Sequence, residues 1–345
     1  MEYCVPEENI TDRIVLAVDA MGGDAAPGCV IDGVRQFLLE HDDTDIRLFG
    51  KKELLQPLTE GLRAEIIDCA DAISMEEEPM MAVRRKPDSS LLRGLKDVKA
   101  GLADAFVSAG STGALMLGSM VTLRMIRGIE RPALAPVLPG LNGRFLLIDS
   151  GANADCRPEY LCRFGLMGSV YMRTAEGMEH PKVGLVNIGT EEEKGSKLYK
   201  EAHALMKQQN VYEFAGNLEA RDVQLGDIQV AVTDGFTGNI ILKYAEGFAK
   251  VLLKTIKNEI MSTTRGKLGG LLLKPAFANI KKQLNTDEYG GAPLLGVDGV
   301  VVKAHGSSGG YAIFKALEQA RRMVESHMVQ ALKQGLEETC KEEVK

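Results

Sequence analysis

The chain has 345 residues, 45% hydrophobic and 26% charged, with a formal net charge of −7. That length can bury a large core, while an acidic balance with 5% aromatics and no Trp argues against nucleic acid or an anionic membrane held by general charge or base stacking. Six scattered cysteines (Cys4, Cys29, Cys69, Cys156, Cys162, Cys340) form no C-x-x-C pair, so free thiols in a reducing cytoplasm are expected rather than zinc or disulfides.

Residues 1–12 are acidic and lack the apolar centre of a signal peptide, and read as an N-terminal extension. No run approaches the ~18 apolar residues of a membrane span. From 14–18 onward, short apolar runs alternate with segments of helical period, which predicts parallel strands joined by crossover helices. Strands are predicted at 14–18, 46–49, 105–108, 145–148, 182–188 and 228–232, with helices ending near Leu39 and Arg127. One largely parallel sheet covered on both faces is expected, with 13–338 as a single unit. Ligands in such folds bind beyond the carboxyl ends of the strands, so the loops there are where chemistry is sought.

Six loops stand out in chain order. In the first, Asp19, Gly22, Gly23 and Asp24 open the backbone to an anion; a strand-to-helix turn capped by Asp24 fits equally. No G-x-G-x-x-G fingerprint is present, which disfavours a nicotinamide cofactor. The second carries Ser108, Gly110, Ser111, Thr112 and Gly113, hydroxyls and amides suited to a phosphate cradle or to plain N-capping. The third, around Asn153, reads as a ligand-positioning loop or an Asx-rich turn. The fourth holds Lys194, Gly195 and Ser196, a cation beside small residues at a helix start, after an acidic run that suits a solvated face. The fifth holds Asp234, Gly235, Thr237, Gly238 and Asn239, able to orient a phosphate or an amide, with capping by Thr237 or Asn239 as the plain alternative. The sixth runs 289–296 and on to His305, Ser307 and Ser308; it offers an imidazole and anion ligands, though a lone histidine is commonly structural.

Residues 260–285 depart from this pattern. Leu268, Leu271, Leu272, Leu273 and Phe277 are interleaved with Lys267, Lys274, Lys281 and Lys282 and interrupted by glycines and Pro275. Such a stretch suits a protruding segment that meets a second subunit, a membrane surface, or both.

In order along the chain, VDAMGGD (18–24), EEPMMAVRRKPDSS (77–90), GIERPALAPVLP (128–139), NIGTEEEKGS (187–196), DGFTGN (234–239) and YGGAPLLGV (289–297) resemble the motifs of PlsX-type phosphate:acyl-carrier-protein acyltransferases. The resemblance runs from about Ile14 to the final helix. It implies a three-layer α/β/α Rossmann-like fold, related to phosphotransacetylases and isocitrate-type dehydrogenases, in a homodimer. It implies transfer of a fatty-acyl group from acyl-carrier protein to inorganic phosphate, the acyl phosphate then feeding a membrane-bound glycerol-phosphate acyltransferase in phospholipid synthesis. It also implies peripheral contact with membrane phospholipid. No cofactor or metal is called for, phosphate being a substrate. Under that reading Lys194 contacts phosphate or the oxyanion, assisted by amides of Gly22, Gly23 and 110–113. Asp234 and Asn239 orient phosphate or the pantetheine arm, and His305 protonates the departing thiolate. Two positions depart from the family pattern: Ala25 stands where His is usual and Ser111 where Asn is usual.

Overall fold

The computed structural model describes residues 13–342; the N-terminal extension expected at 1–12 lies outside them. The first half of the chain holds β1 (Ile14–Asp19), α1 (Gly28–Glu40), β2 (Thr44–Gly50), α2 (Lys52–Leu55), β3 (Ala64–Asp68), α3 (Pro79–Arg85) and α4 (Ser90–Lys99). It continues with β4 (Ala105–Ser108), α5 (Thr112–Thr122), β5 (Ala133–Leu134), β6 (Val137–Gly140), β7 (Gly143–Ile148) and α6 (Pro158–Thr174). Then come β8 (Lys182–Asn187), α7 (Lys197–Lys207), β9 (Glu213–Glu219), β10 (Val230–Val232), α8 (Gly235–Met261) and α9 (Thr264–Gln283). The chain closes with β11 (Ala292–Leu295), β12 (Val300–Lys303), α10 (Gly310–Glu325) and α11 (Met328–Glu342).

The strands form two sheets rather than the one expected. The first has order β3-β2-β1-β4-β12-β11-β5 and the second β6-β7-β10-β8-β9. In the first, β3, β2, β1, β4 and β12 run parallel and β11 is antiparallel to both its neighbours. In the second, β7, β10, β8 and β9 run parallel and β6 is antiparallel to β7. The inner parallel strands are largely buried apolar runs because helices cover both faces; the last four residues of β1, for instance, are all buried, whereas the edge strands β3 and β9 are only partly so.

The chain changes sheets at Ala135 and Pro136. Ala135 N–H donates to Pro293 O of β11 at 3.0 Å, while Pro136 O accepts from Leu147 N–H of β7 at 3.1 Å. It returns to the first sheet through α8 and α9. A single cluster of buried side chains draws on both sheets, including Val18, Val107 and Val302 of the first and Leu146, Ile148 and Val183 of the second.

Three local expectations change. The helix predicted to reach Arg127 stops at Thr122, because Arg124 turns left-handed (φ 72°) and its N–H reaches back to Ser119 O at 3.2 Å. The strand predicted through Ile188 ends at Asn187, whose side chain accepts from Ile188 N–H at 2.8 Å and donates to Lys194 O at 3.2 Å. Within the loop read at 289–296, residues 292–295 are strand β11.

Residues 260–285 form α9 and the end of α8. No residue of α9 is buried, Leu272 being 78% exposed. Thr263 caps α9 by accepting from Gly266 N–H at 3.0 Å, and Pro275 stands inside the helix.

Candidate active site

The loops at the carboxyl ends of β1, β4 and β12 are laced together on the first sheet. Ser108 donates to buried Asp19 at 2.7 Å, and Gly110 N–H donates to Ser108 at 3.0 Å. Asp24 N–H donates to Gly306 O at 2.8 Å, tying the first loop to the His305 loop. Gly22 permits the closeness of the first two loops, since a Cβ there would lie 2.6 Å from Gly110 N. Gly23 sits beside Ala109. Asp19 and Ser108 therefore spend their polar atoms on one another and on the backbone. Burial raises the Asp19 carboxyl above its usual range, opposed by hydrogen bonds from Ser90 and Ser108.

The loops after β7 and β10 are laced in the same way on the second sheet. Asp149, fully buried, accepts from the N–H groups of Leu134, Gly151, Ala152 and Asn153 and from the Asn153 side chain. Asn153 also donates to Pro132 O at 2.7 Å and accepts from Gly235 N–H at 2.7 Å. A Cβ on Gly238 would lie 1.9 Å from Asp149 O, so the first turn of α8 packs directly on that loop. Asp234, rather than Thr237 or Asn239, caps α8: it accepts from Thr237 N–H at 2.8 Å, Thr237 Oγ1 at 2.9 Å, and the Tyr199 hydroxyl.

Between these two laced ends lies a cleft of about 360 Å³. Thr112 opens α5 on one side, with Ser111 capping that helix toward Ala114 N–H at 3.5 Å. Ser150 and Gly151 face it from the second sheet, and Asn239, Leu242, Lys243 and Glu246 line it along one stripe of α8. Lys303, Ala304, His305 and Ser308 complete the wall after β12. A second hollow of about 480 Å³ continues it past His305, Ser307 and Ser308 to Lys250 on α8 and Lys281 on α9.

Lys303 is the buried cation of the cleft. Its ammonium donates to the carbonyls of Ala109, at 3.3 Å, and Ala304. Burial pulls it down to about 8, partly offset by Asp19 and Asp24. His305 Nδ1 meets Ser307 Oγ at 2.8 Å and Nε2 meets Lys243 Nζ at 3.3 Å. Nδ1 also accepts from Ser307 N–H at 3.2 Å, so both the amide and the hydroxyl of Ser307 meet that nitrogen. Partial burial and the Lys243 charge hold the imidazole below its usual value, so it is neutral at pH 7. Lys243 also pairs with Glu246 at 3.2 Å. Two cations, a helix N-terminus and a neutral imidazole thus surround one small space, an arrangement suited to an oxyanion.

Of the residues singled out in the sequence, Thr112, Asn239, His305 and Ser308 line the cleft, and Ser307 lines its continuation. Asp19, Gly22, Gly23, Asp24, Ser108, Gly110, Ser111 and Gly113 shape its first-sheet wall, and Asn153, Gly235 and Gly238 its second. Ala25 is exposed on the first loop. Asp234, Thr237 and Ser196 line a separate hollow of about 370 Å³ with Tyr199 and Cys156. Burial pushes the Cys156 thiol up to about 12, which leaves it inert as a nucleophile at neutral pH. Lys194 and Gly195 form an exposed turn after β8, and the Lys194 ammonium makes no hydrogen bond or ion pair among the described residues.

Lys303 and Lys243 were not singled out. Lys303 ends an apolar strand, VVVK, and reads as its solvent edge; Lys243 reads as one more helix-surface lysine. The usable signal was spacing, for Lys243 stands four residues after Asn239 and shares its face of α8. Among the described residues no three His, Cys, Asp or Glu side chains gather as a metal site, and no helix is long and apolar enough to cross a membrane.

A family model described as "Fatty acid synthesis protein" matches residues 14–331. The phosphate acyltransferase of Clostridium tetani (strain Massachusetts / E88) is 48% identical over 326 residues, covering 93% of this chain and 97% of that protein. Among solved structures, a phosphotransacetylase from Streptococcus pyogenes superposes with a TM-score of 0.62 at 17% identity, covering 90% of this chain and 94% of that one. A 4-hydroxythreonine-4-phosphate dehydrogenase from Klebsiella pneumoniae gives 0.55 at 12% identity, covering 90% and 99%. These two likenesses are of fold, and they match the α/β relationship expected from the sequence.

Proposed function

This chain belongs to the fatty acid synthesis protein family that includes the phosphate acyltransferases, and we propose that it transfers a fatty-acyl group from acyl-carrier protein to inorganic phosphate. The observation that carries the proposal is the cleft between the sheets, where Lys303, Lys243, neutral His305 and the α5 N-terminus converge. Such a space suits a small dianion better than a nucleotide or a sugar.

Hydrogen phosphate is itself the nucleophile, so no covalent enzyme intermediate and no cofactor are required. One phosphate oxygen attacks the thioester carbonyl, the C–O bond forms, and the tetrahedral oxyanion collapses by breaking the C–S bond. The proton that phosphate brings leaves on the thiol, and the products are acyl phosphate and free carrier. The protein's work is to hold phosphate against the carbonyl and to stabilise the oxyanion. Lys303 and the first turn of α5 attract the phosphate, and Asn239 orients it. His305, neutral and on the cleft wall, relays the phosphate proton to the departing sulfur. An imidazole from the His305 loop thereby serves where the family pattern places one at position 25. Lys194, exposed and with no ammonium partner among the described residues, reaches phosphate or the oxyanion as substrate enters. Asp234 acts one step back, as the cap that fixes the start of α8 and with it Asn239.

We place the product at the entry to phosphatidic acid synthesis, where a membrane-bound glycerol-phosphate acyltransferase consumes it. A cytoplasmic homodimer touching the bilayer suits this role. The exposed leucines and lysines of α9 support it, offering an apolar and cationic face to a second copy and to phospholipid.

The assay is thiol release from palmitoyl-carrier protein and from palmitoyl-CoA, with and without phosphate. Phosphate-dependent release that favours the carrier is expected. Equal or better turnover of the CoA thioester would make the enzyme a CoA-dependent phosphotransacylase. Lys194→Ala should lower turnover by roughly 10²-fold at saturating phosphate, and undiminished turnover would remove Lys194 from the reaction.

A further inference from the structure

The segment EEPMMAVRRKPDSS (77–90) takes no part in the cleft wall, yet it borders the cleft. Its helix α3 opens at Glu78, which accepts from the N–H groups of Met80 and Met81. Ala82 is buried, so α3 turns that side inward. Met80 and Arg84 are four residues apart, as are Met81 and Arg85, and all four are exposed. They form two parallel rows on the outward face of the helix. Met80 is 66% exposed, and Met75, just before the helix, is exposed as well.

Charge on this face is unbalanced by design of the local contacts. Glu77 pairs with Lys86 at 2.7 Å, Asp88 pairs with Arg93 at 2.6 Å, and Glu78 is committed to its cap. Glu76 is exposed just before the helix. Arg84 and Arg85 have no ion pair among the described residues, in a chain whose net charge is −7. Methionine adapts its shape to a partner, and Met and Arg are the side chains enriched at protein interfaces.

The position is as telling as the composition. Pro79 packs against Gly113, where a Cβ would lie 2.6 Å from Pro79 Cγ, and Gly113 adjoins cleft-lining Thr112. Met75 Cε lies 2.9 Å from where a Cβ of Gly306 would stand, next to His305. The patch thus borders the mouth of the cleft from both sides of its first-sheet wall.

We infer that the Met80, Met81, Arg84 and Arg85 face of α3 docks the acidic helical surface of the carrier that presents the thioester. The inference rests on the reading of acyl-carrier protein as donor. Arginines meet carboxylates of the carrier, the methionines cover its apolar ridge, and the pantetheine arm runs past Thr112 or His305 into the cleft.

The test compares R84E/R85E and the milder R84Q/R85Q with the parent, using palmitoyl-carrier protein and palmitoyl-CoA at saturating phosphate. The charge reversal should raise KM for the carrier thioester by at least tenfold, with the glutamine pair intermediate. Turnover of the CoA thioester should stay within twofold, and the gap between donors should narrow with added salt. Unchanged KM for the carrier in R84E/R85E would overturn the assignment. Equal loss with both donors, in the glutamine variant too, would make the pair a support of the cleft and also overturn it. Loss of dimer on size-exclusion would assign the face to a second copy of this chain instead. If the parent itself turns over neither donor, the failure lies with the acyltransfer reading and not with the docking surface.

Discussion

The cleft and the α8–α9 hairpin treat the same residue types in opposite ways. In the loops that wall the cleft, key polar groups are buried and engaged: Asp149 accepts five hydrogen bonds, and Lys303 is inside the protein with its ammonium on two carbonyls. On α9, leucines and lysines alike stand in solvent and no residue is buried. Groups held rigidly by burial can be aimed at a transition state, because the cost of orienting them is met when the chain folds. Groups left in solvent are available to another surface. The two regions should therefore answer differently to mutation: one through chemistry and stability, the other through association.

The largest effect is expected at Lys303. Lys303→Met should lower kcat/KM by roughly 10²–10³, measured by phosphate-dependent thiol release. The same variant should unfold no more easily at pH 7 than the parent. The folded-state value of Lys303, about 8, lies below that of an unfolded lysine, so the buried ammonium costs stability at neutral pH. That cost is relieved as pH rises past 8 toward the ordinary lysine value. A variant that lost stability along with turnover would make Lys303 a structural residue rather than one that acts on phosphate.

Next comes Gly238. Gly238→Ala forces a methyl into Asp149 O, and should cost about 1–3 kcal/mol in denaturant unfolding, with turnover falling because α8 carries Asn239 and Lys243. A neutral result would mean the second-sheet wall is looser than its hydrogen bonds imply.

The pH profile of kcat/KM, corrected for phosphate ionisation, sharpens the picture further. The ammonium of Lys303 is the working form, so the rate should fall as pH rises through about 8. The neutral imidazole of His305 is the working form, so the acid limb should lie below the usual histidine value. Lys303→Met should lose the alkaline limb and keep the acid one.

The smallest chemical effect belongs to the hairpin. L271S/L272S/L273S should leave turnover of the carrier thioester within about twofold and the unfolding midpoint unchanged, since exposed sites contribute little to stability. Co-sedimentation with phospholipid vesicles, or the dimer fraction, should fall. A collapse of turnover would make α9 part of the cleft.

Much of this was legible in the sequence. The apolar runs marked β1, β2, β4, β7, β8 and β10, because strands covered on both faces are continuously hydrophobic. The loops after β4 and β7 and the helix after β10 contribute residues to the cleft lining. What escaped was whatever depends on how distant segments meet. The second sheet could not be foreseen because the change of sheets at Ala135 and Pro136 is a tertiary event in an otherwise ordinary Pro-containing stretch. Strand β11 was hidden in GGAPLLG, whose glycines and proline read as loop. Lys303 was hidden because its burial comes from the Ala109 loop, 194 residues away in sequence. Asp19 and Ser108 were noticed for their chemistry, but only the fold shows them spent on each other. His305 was seen, while its partner Lys243 required knowing that α8 crosses the end of β12.

The measurement that bears most directly on the whole account is trapping of the product. Purified protein incubated with palmitoyl-carrier protein and phosphate, then quenched with hydroxylamine, should yield palmitoyl hydroxamate in proportion to free carrier released, and none when phosphate is omitted. Carrier released without phosphate would point to a thioesterase. No hydroxamate from a folded protein would contradict acyl transfer to phosphate and leave the cleft without the chemistry assigned to it.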